Sequence, residues 1–208
     1  MRKLTLLALA AALAATAADK PEKGFKSLFN GKDLTDWTKA KENEDSFSVK
    51  DGAIVAQGPR CHIYYTGKNH DFKNFELKVD VMTQEHSNGG IYIHTAYQEK
   101  SWPDKGFEIQ VNNSHTDWKR TGGLYNVADN KEKVAEDGKW FTEHIIVKDK
   151  HVTVFVDGKK VTEWEQPEGW AGPKDMPGRV LSSGTIALQA HDPKSIIAYK
   201  NIRIKQLK

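Results

Sequence analysis

The residues in this chain best suited to chemistry fall in two short segments. One begins at His86 and reads H-S-N-G-G-I-Y-I-H-T; the other begins at Gly106 and reads G-F-E-I-Q-V. Each alternates apolar and polar residues, the pattern of a β-strand. Successive side chains on a strand point to opposite faces. Ile91 and Ile93 therefore oppose Tyr92 and His94, and Phe107, Ile109 and Val111 oppose Glu108 and Gln110. If the strands are neighbours, Tyr92, His94, Glu108 and Gln110 share one face. Histidine beside glutamate can move a proton, and glutamine and tyrosine can orient a bound molecule. A third segment, G-T-I-A-L-Q-A-H from Gly184, sets Ala187, Gln189 and His191 opposite Ile186 and Leu188, at matching parity. The plain alternative is the polar side of any amphipathic sheet.

The elements that must position these residues are also strands. Ser46 to Val55 reads as a hairpin around Asp51-Gly52, and His151 to Thr162 as another around Asp157-Gly158. Cys61 to Thr66, Phe75 to Val81, Trp140 to Val147 and Ser195 to Lys205 are further strand patterns. In F-E-L-K-V-D-V, Phe75, Leu77, Val79 and Val81 are the inward set. The stretches 112–137 and 165–183 read as long loops, rich in glycine with aromatics or proline, of the kind that shape sites. No amphipathic helix follows the first residues. Many short strands separated by turns predict an all-β, two-sheet antiparallel sandwich or jelly roll.

Composition narrows the classes. The start, MRKLTLLALAAALAATAADK, has a basic beginning, an apolar run and a small-residue cleavage pattern, so residues 1–17 are expected to be a signal peptide and 18–208 the domain. The apolar run is short for a membrane span. Export to a bacterial periplasm or exterior is the expectation. Cys61 is the single cysteine, so no intramolecular disulfide forms, and it reads as a small buried hydrophobe. The net charge is +3, with Arg2 and Lys3 in the leader, and the lysines are scattered, which argues against a nucleic-acid partner. Six tryptophans and six tyrosines supply faces on which sugar rings can stack, pointing to a carbohydrate partner. Trp37 and Trp140 lie amid apolar alternation and read as core. His62, His70, His86 and His115 read as structural or solvent-exposed, and Lys148 to Lys150 as a solvated turn. Nucleotide-binding glycine loops, zinc-binding Cys or His pairs and the serine-hydrolase elbow are absent from the sequence.

An ordered set of segments carries a family resemblance: G-F-K-S-L-F-N-G-K-D-L-T-D-W, S-F-S-V-K-D-G-A-I, F-E-L-K-V-D, N-G-G-I-Y-I-H, G-F-E-I-Q-V, T-G-G-L-Y-N-V, W-F-T-E-H-I-I-V, V-D-G-K-K-V, G-T-I-A-L-Q-A-H and N-I-R-I-K. Together they resemble the bacterial 3-keto-disaccharide hydrolase domain family across nearly the whole mature chain. The resemblance implies a concanavalin A-like sandwich, secretion and hydrolase-type action on carbohydrate. Glu108, Gln110, Gln189 and His191 match the family pattern. Three places depart from it. Asn88-Gly89-Gly90-Ile91 stands where Asn-Ser-Gly-Ile is common, His94 stands where arginine is frequent, and Leu188-Gln189-Ala190-His191-Asp192 replaces Leu-Gln-Asp-His-Gly, losing an acid at position 190.

Ordinary glycosidases need two carboxylates across the scissile bond. Here the next residue on the face of Glu108 is Gln110, which leaves Asp104 or a loop acid to complete a conventional glucanase pair. A 3-keto sugar needs less, because its ketone acidifies the hydrogen on carbon 2. One base removes that hydrogen, an enolate expels the group at carbon 1, and water adds to the enone. The expected catalytic residues are Glu108, His191 and His94: either of the first two as base, with the other or His94 as acid. Asn88, Gln110 and Gln189 are expected to orient hydroxyls. Tyr92, Tyr125, Trp102 and Trp118 are candidate stacking platforms. No cofactor is required, although the same face could hold a divalent cation. A noncatalytic carbohydrate-binding module is the alternative from another class.

Overall fold

The computed structural model describes residues 22–208. The expected signal peptide at 1–17 lies outside the described residues. The strands are β1 (Lys26–Ser27), β2 (Trp37–Lys39), β3 (Phe47–Lys50), β4 (Ala53–Gln57), β5 (Cys61–Tyr65), β6 (Phe75–Thr83), β7 (Gly89–Thr95), β8 (Phe107–Val111), β9 (Arg120–Leu124), β10 (Ala128–Asn130), β11 (Phe141–Lys148), β12 (His151–Val156), β13 (Lys159–Glu165), β14 (Thr185–Ala190) and β15 (Ile196–Gln206). They form two antiparallel sheets packed as a sandwich. One runs β13-β12-β11-β6-β15-β4-β3, with β1 added beside β15; the other runs β10-β9-β8-β7-β14-β5-β2.

Both aspartate–glycine turns form as the sequence predicts. Asp51 and Gly52 have φ of 50° and 76°, and Asp157 and Gly158 have 47° and 78°, the left-handed pairs that let two-residue turns follow the strand twist. The inward residues of β6, together with Ile145, Val147, Ile91, Ile93, Phe107, Ile109, Ile186 and Leu188, are fully buried between the sheets. Each such side chain contributes about 1.5–3 kcal/mol relative to exposure.

The two sheets differ on their outer faces. On β6 and β11, buried residues alternate with partly exposed ones, as expected for a sheet with one wet side. By contrast, β5, β7, β8 and β14 are buried along their whole length. Their outer polar residues are therefore covered, although no hydrophobic layer was predicted for that face.

Several expectations need correction. The 112–137 stretch is not one irregular loop, because it contains β9 and β10. Trp140 is 39% exposed rather than core: the strand starts at Phe141, which turns inward, and the Lys200 ammonium lies 3.9 Å from the Trp140 ring centre. Trp37 is buried and its indole donates to the Leu28 carbonyl at 2.7 Å. Cys61 is buried, and burial pushes its thiol up to about 11. No helix among the described residues is long and apolar enough to cross a membrane.

Candidate functional site

The site is built on the covered face of the second sheet, from register outward. On β7 and β8, Tyr92 pairs with Glu108 and Gly90 with Gln110; on the other side of β7, Ala187 of β14 pairs with Tyr92. This places Tyr92, Glu108, Gln110 and Gln189 on one floor. The Tyr92 hydroxyl donates to Glu108 Oε2 at 2.8 Å. Gln189 Nε2 donates to Glu108 Oε1 at 2.9 Å and to the Tyr92 oxygen at 3.1 Å. Gly90 makes room for this arrangement, since a Cβ there would lie 2.6 Å from Glu108 Oε1. Beside it, Gln110 Nε2 donates to Asn88 Oδ1 at 2.6 Å. The Gln110 and Gln189 carbonyl oxygens are buried without a protein partner.

These residues floor a cleft whose lining also includes Trp102, Tyr125, Met176, Arg179 and His191. Trp102 packs against His191, with ring centres 5.3 Å apart, and the Arg60 guanidinium lies 5.1 Å from its ring centre. Arg60 is held by Glu42, which also accepts the Ser101 amide, so the Trp102 wall is braced. His191 follows the end of β14. Its Nδ1 lies 2.9 Å from Asp192 Oδ2, and Asp192 also accepts from Ser195 Oγ at 2.6 Å. Although burial pulls upward, the hydrogen bonds from Ser195 and His191 hold the Asp192 carboxyl down to about 2. An anionic Asp192 fixes the imidazole tautomer, leaving Nε2 free for proton transfer.

Glu108 behaves oppositely. Burial pushes its carboxyl above the usual carboxylate range, even though Arg179 and the donors Tyr92 and Gln189 pull it down. A carboxyl whose proton affinity is raised by burial is suited to act as an acid.

The structure brings together Asn88, Tyr92, Trp102, Glu108, Gln110, Tyr125, Gln189 and His191. It does not bring His94 or Trp118 to them. His94 has φ of 53°, and the β7–β14 register shifts beside it. Gly106 and Gly184 pack so close to the His94 backbone that neither leaves room for a Cβ. That bulge turns the imidazole away from Tyr92, onto the core residue Phe75, where Nε2 meets the Lys73 carbonyl at 2.8 Å and Nδ1 accepts the Ser182 amide. Trp118 is 49% exposed in a turn stapled by Arg120 and Asn112, outside the cleft and beside Lys119 and Lys131. His62, read from sequence as structural or solvent-exposed, is buried beside Trp102 and packs edge-on against Tyr92; burial pushes its imidazole down to about 3.

Sequence reasoning missed three contributors. Arg179 and Met176 come from the 165–183 loop, and Asp192 meets His191 Nδ1 from the residue next in the chain. A faint signal existed: Arg179 is the one Lys, Arg, Asp or Glu between Asp175 and Asp192.

The donor set does not fit a tightly held divalent cation. Both Glu108 oxygens already accept hydrogen bonds, and the Arg179 guanidinium, 3.8 Å from Glu108 Oε2, occupies the counter-ion position. Among the described residues, no three His, Cys, Asp or Glu side chains converge.

Comparison with known proteins bears on what this cleft serves. The family model described as the 3-keto-alpha-glucoside-1,2-lyase-like domain matches residues 24–205. The chain belongs to that family. Comparison with curated proteins found no match. Among solved structures, a protein of Parabacteroides distasonis provisionally described as a glycosyl hydrolase is 25% identical, with a TM-score of 0.76 over 89% of this chain and 94% of that one. The carbohydrate-binding module CBM66 of Bacillus subtilis (11% identity, TM-score 0.61, 83% of this chain and 97% of that one) shares the fold. So does SCLam, a non-specific endo-beta-1,3(4)-glucanase of family GH16, at 13% identity and TM-score 0.57, over 88% of this chain and 91% of that one. The family and the 25% identical relative support a carbohydrate-related, hydrolase-type function, and the more distant neighbours support the jelly-roll architecture.

Proposed function

We propose that the protein cleaves 3-keto-glycosides by proton abstraction at carbon 2 and elimination across carbons 1 and 2. The observation that carries this reading is the pairing of one buried carboxyl, Glu108, whose proton affinity burial raises, with a separate histidine–aspartate pair, His191–Asp192, in a cleft lined by no second carboxylate among the described residues. A two-carboxylate glycosidase needs what this cleft lacks; an elimination needs a base and an acid with different proton affinities. The lyase-like description of the family agrees with that chemistry.

In the proposed reaction, His191 acts as the base and takes the carbon-2 proton through Nε2, and the C–H electron pair becomes the enolate of the 3-ketone. The enolate re-forms the ketone and its electrons expel the carbon-1 oxygen, which takes a proton from Glu108. The products are a free alcohol and an enone. Glu108, now a carboxylate, can accept a proton from water attacking carbon 1, while the His191 imidazolium returns a proton to carbon 2; this completes net hydrolysis. Asn88, Gln110 and Gln189 orient ring hydroxyls, and Trp102 and Tyr125 pack on ring faces.

The test offers purified protein a plain disaccharide and its 3-keto derivative in heavy water. Cleavage of the keto sugar alone, with deuterium at carbon 2, is expected. Binding of either sugar without turnover would replace this reading with that of a carbohydrate-binding module.

A further inference from the structure

Arg179 is an unusual residue to find in such a cleft. Its side chain is 4% exposed and carries a full positive charge, and its carboxylate neighbour, Glu108, is 3.8 Å away rather than in hydrogen-bond contact. Nη1 donates to the Gly106 carbonyl at 2.9 Å, while Nε is buried without a protein partner. The guanidinium also lies 5.4 Å from the Tyr92 ring centre. Burying an arginine with an orphaned N–H is costly unless something else meets it.

The loop around Arg179 is built to hold it there. Its amide donates to the Met176 carbonyl at 3.0 Å, and its carbonyl accepts the Trp170 indole at 2.7 Å. Gly106 donates to the Gly178 carbonyl at 3.0 Å, and a Cβ at Gly178 would collide with the Asp104 backbone. Several contacts from three segments thus fix one side chain at the edge of the floor. The floor donors nearest Glu108 are engaged. The Tyr92 hydroxyl and Gln189 amide are committed to Glu108, and Gln110 donates to Asn88.

We infer that Arg179 is the oxyanion-binding group of this cleft, holding the negatively charged oxygen of an enolate-bearing sugar. On the elimination reading above, on which this assignment of the oxygen rests, that atom is the carbon-3 oxygen after His191 has taken the carbon-2 proton. Glu108 lies 3.8 Å from the guanidinium, outside hydrogen-bond contact, so Arg179 keeps donor capacity for a bound oxyanion. A preplaced cation costs no reorganisation when the enolate forms, and dry surroundings strengthen the attraction. The ground-state ketone carries only a partial charge, so Arg179 favours the enolate over the bound substrate.

The test separates anion binding from turnover. Ascorbate is a planar sugar lactone that carries a stable enolate at neutral pH; gluconolactone is a neutral counterpart. Wild-type protein is expected to bind ascorbate at least about tenfold tighter than gluconolactone by calorimetry at pH 7, and Arg179→Gln to lose that preference. Arg179→Lys, which keeps the charge, should retain part of it and covers the case in which the glutamine variant does not fold. In the second arm, carbon-2 deuterium exchange on the 3-keto disaccharide should fall about 10²-fold or more in Arg179→Gln, with binding of the plain disaccharide changed by less than about threefold. Equal binding of the two lactones by the wild type, or an undiminished preference in Arg179→Gln, overturns the inference. An Arg179-dependent preference for ascorbate without wild-type exchange on the keto sugar would leave the anion site standing and overturn the elimination reading instead.

Discussion

Two glutamates of this protein share a burial and differ in everything around it. Glu108 on the cleft floor and Glu143 on β11 both have their carboxyl pushed upward, with loss of water as the leading cause. Around Glu108 the sheet gathers a tyrosine and an amide, a loop adds a guanidinium, and an imidazole lies across the cleft. Glu143 lies between the sheets, and neither of its oxygens has a side-chain partner; only the Gly122 amide pulls its carboxyl back. Its neighbour Tyr199 also has an unpartnered hydroxyl. A raised proton affinity therefore does not by itself mark a site. Convergent donors and access to a substrate do.

Breaking the comparison at its active end should have the largest effect. Glu108→Gln is expected to lower kcat on a 3-keto disaccharide by about 10²–10³-fold, because the amide cannot protonate the leaving oxygen. Steady-state turnover of the two proteins checks this, and a loss below threefold would erase the distinction between the glutamates. Asp192→Asn should cost less, roughly tenfold or more, since His191 keeps its ring but loses the anion that fixes its tautomer. The loss should fall on kcat rather than KM.

Glu143→Gln sharpens the other end. The folded-state proton affinity of Glu143 exceeds that of an unfolded glutamate, near 4.5. Its contribution to stability is therefore fully present below pH 4.5 and is lost as pH rises toward and through the folded value. A neutral amide has no such loss. The variant should be more stable than wild type by about 1–3 kcal/mol at pH 8, and the gap should close near pH 4. Urea unfolding at the two pH values measures it, and a glutamine variant that is weaker at pH 8 would reveal a partner for the Glu143 anion. The smallest effect is expected at His94→Gln. That change should leave kcat within about twofold while costing about 1 kcal/mol of stability, because the imidazole serves the Lys73 and Ser182 backbone rather than the cleft.

Much of this molecule was readable without coordinates because its determinants are local. Alternation along β6, β7, β8 and β14 assigns each residue to a face whatever the strand pairs with, so Tyr92, Glu108, Gln110 and Gln189 emerge as a set. The aspartate–glycine turns carry their own backbone preference. Where local regularity stops, sequence reasoning stops with it. His94 follows Tyr92 at the correct spacing, yet one left-handed residue, wedged by Gly106 and Gly184 from distant segments, breaks the parity. Arg179 lies in a loop with no period at all, and its place is decided by Gly106, Met176 and Trp170. Asp192 looks like a surface acid until Ser195 and His191 fold back upon it. The sequence by itself determined the two-sheet sandwich and the floor of the cleft, because strand parity depends on nearest neighbours in the chain. Only the tertiary structure decided its walls, its charge and its proton-transfer partner, because those depend on loop closure and on which groups lose water together.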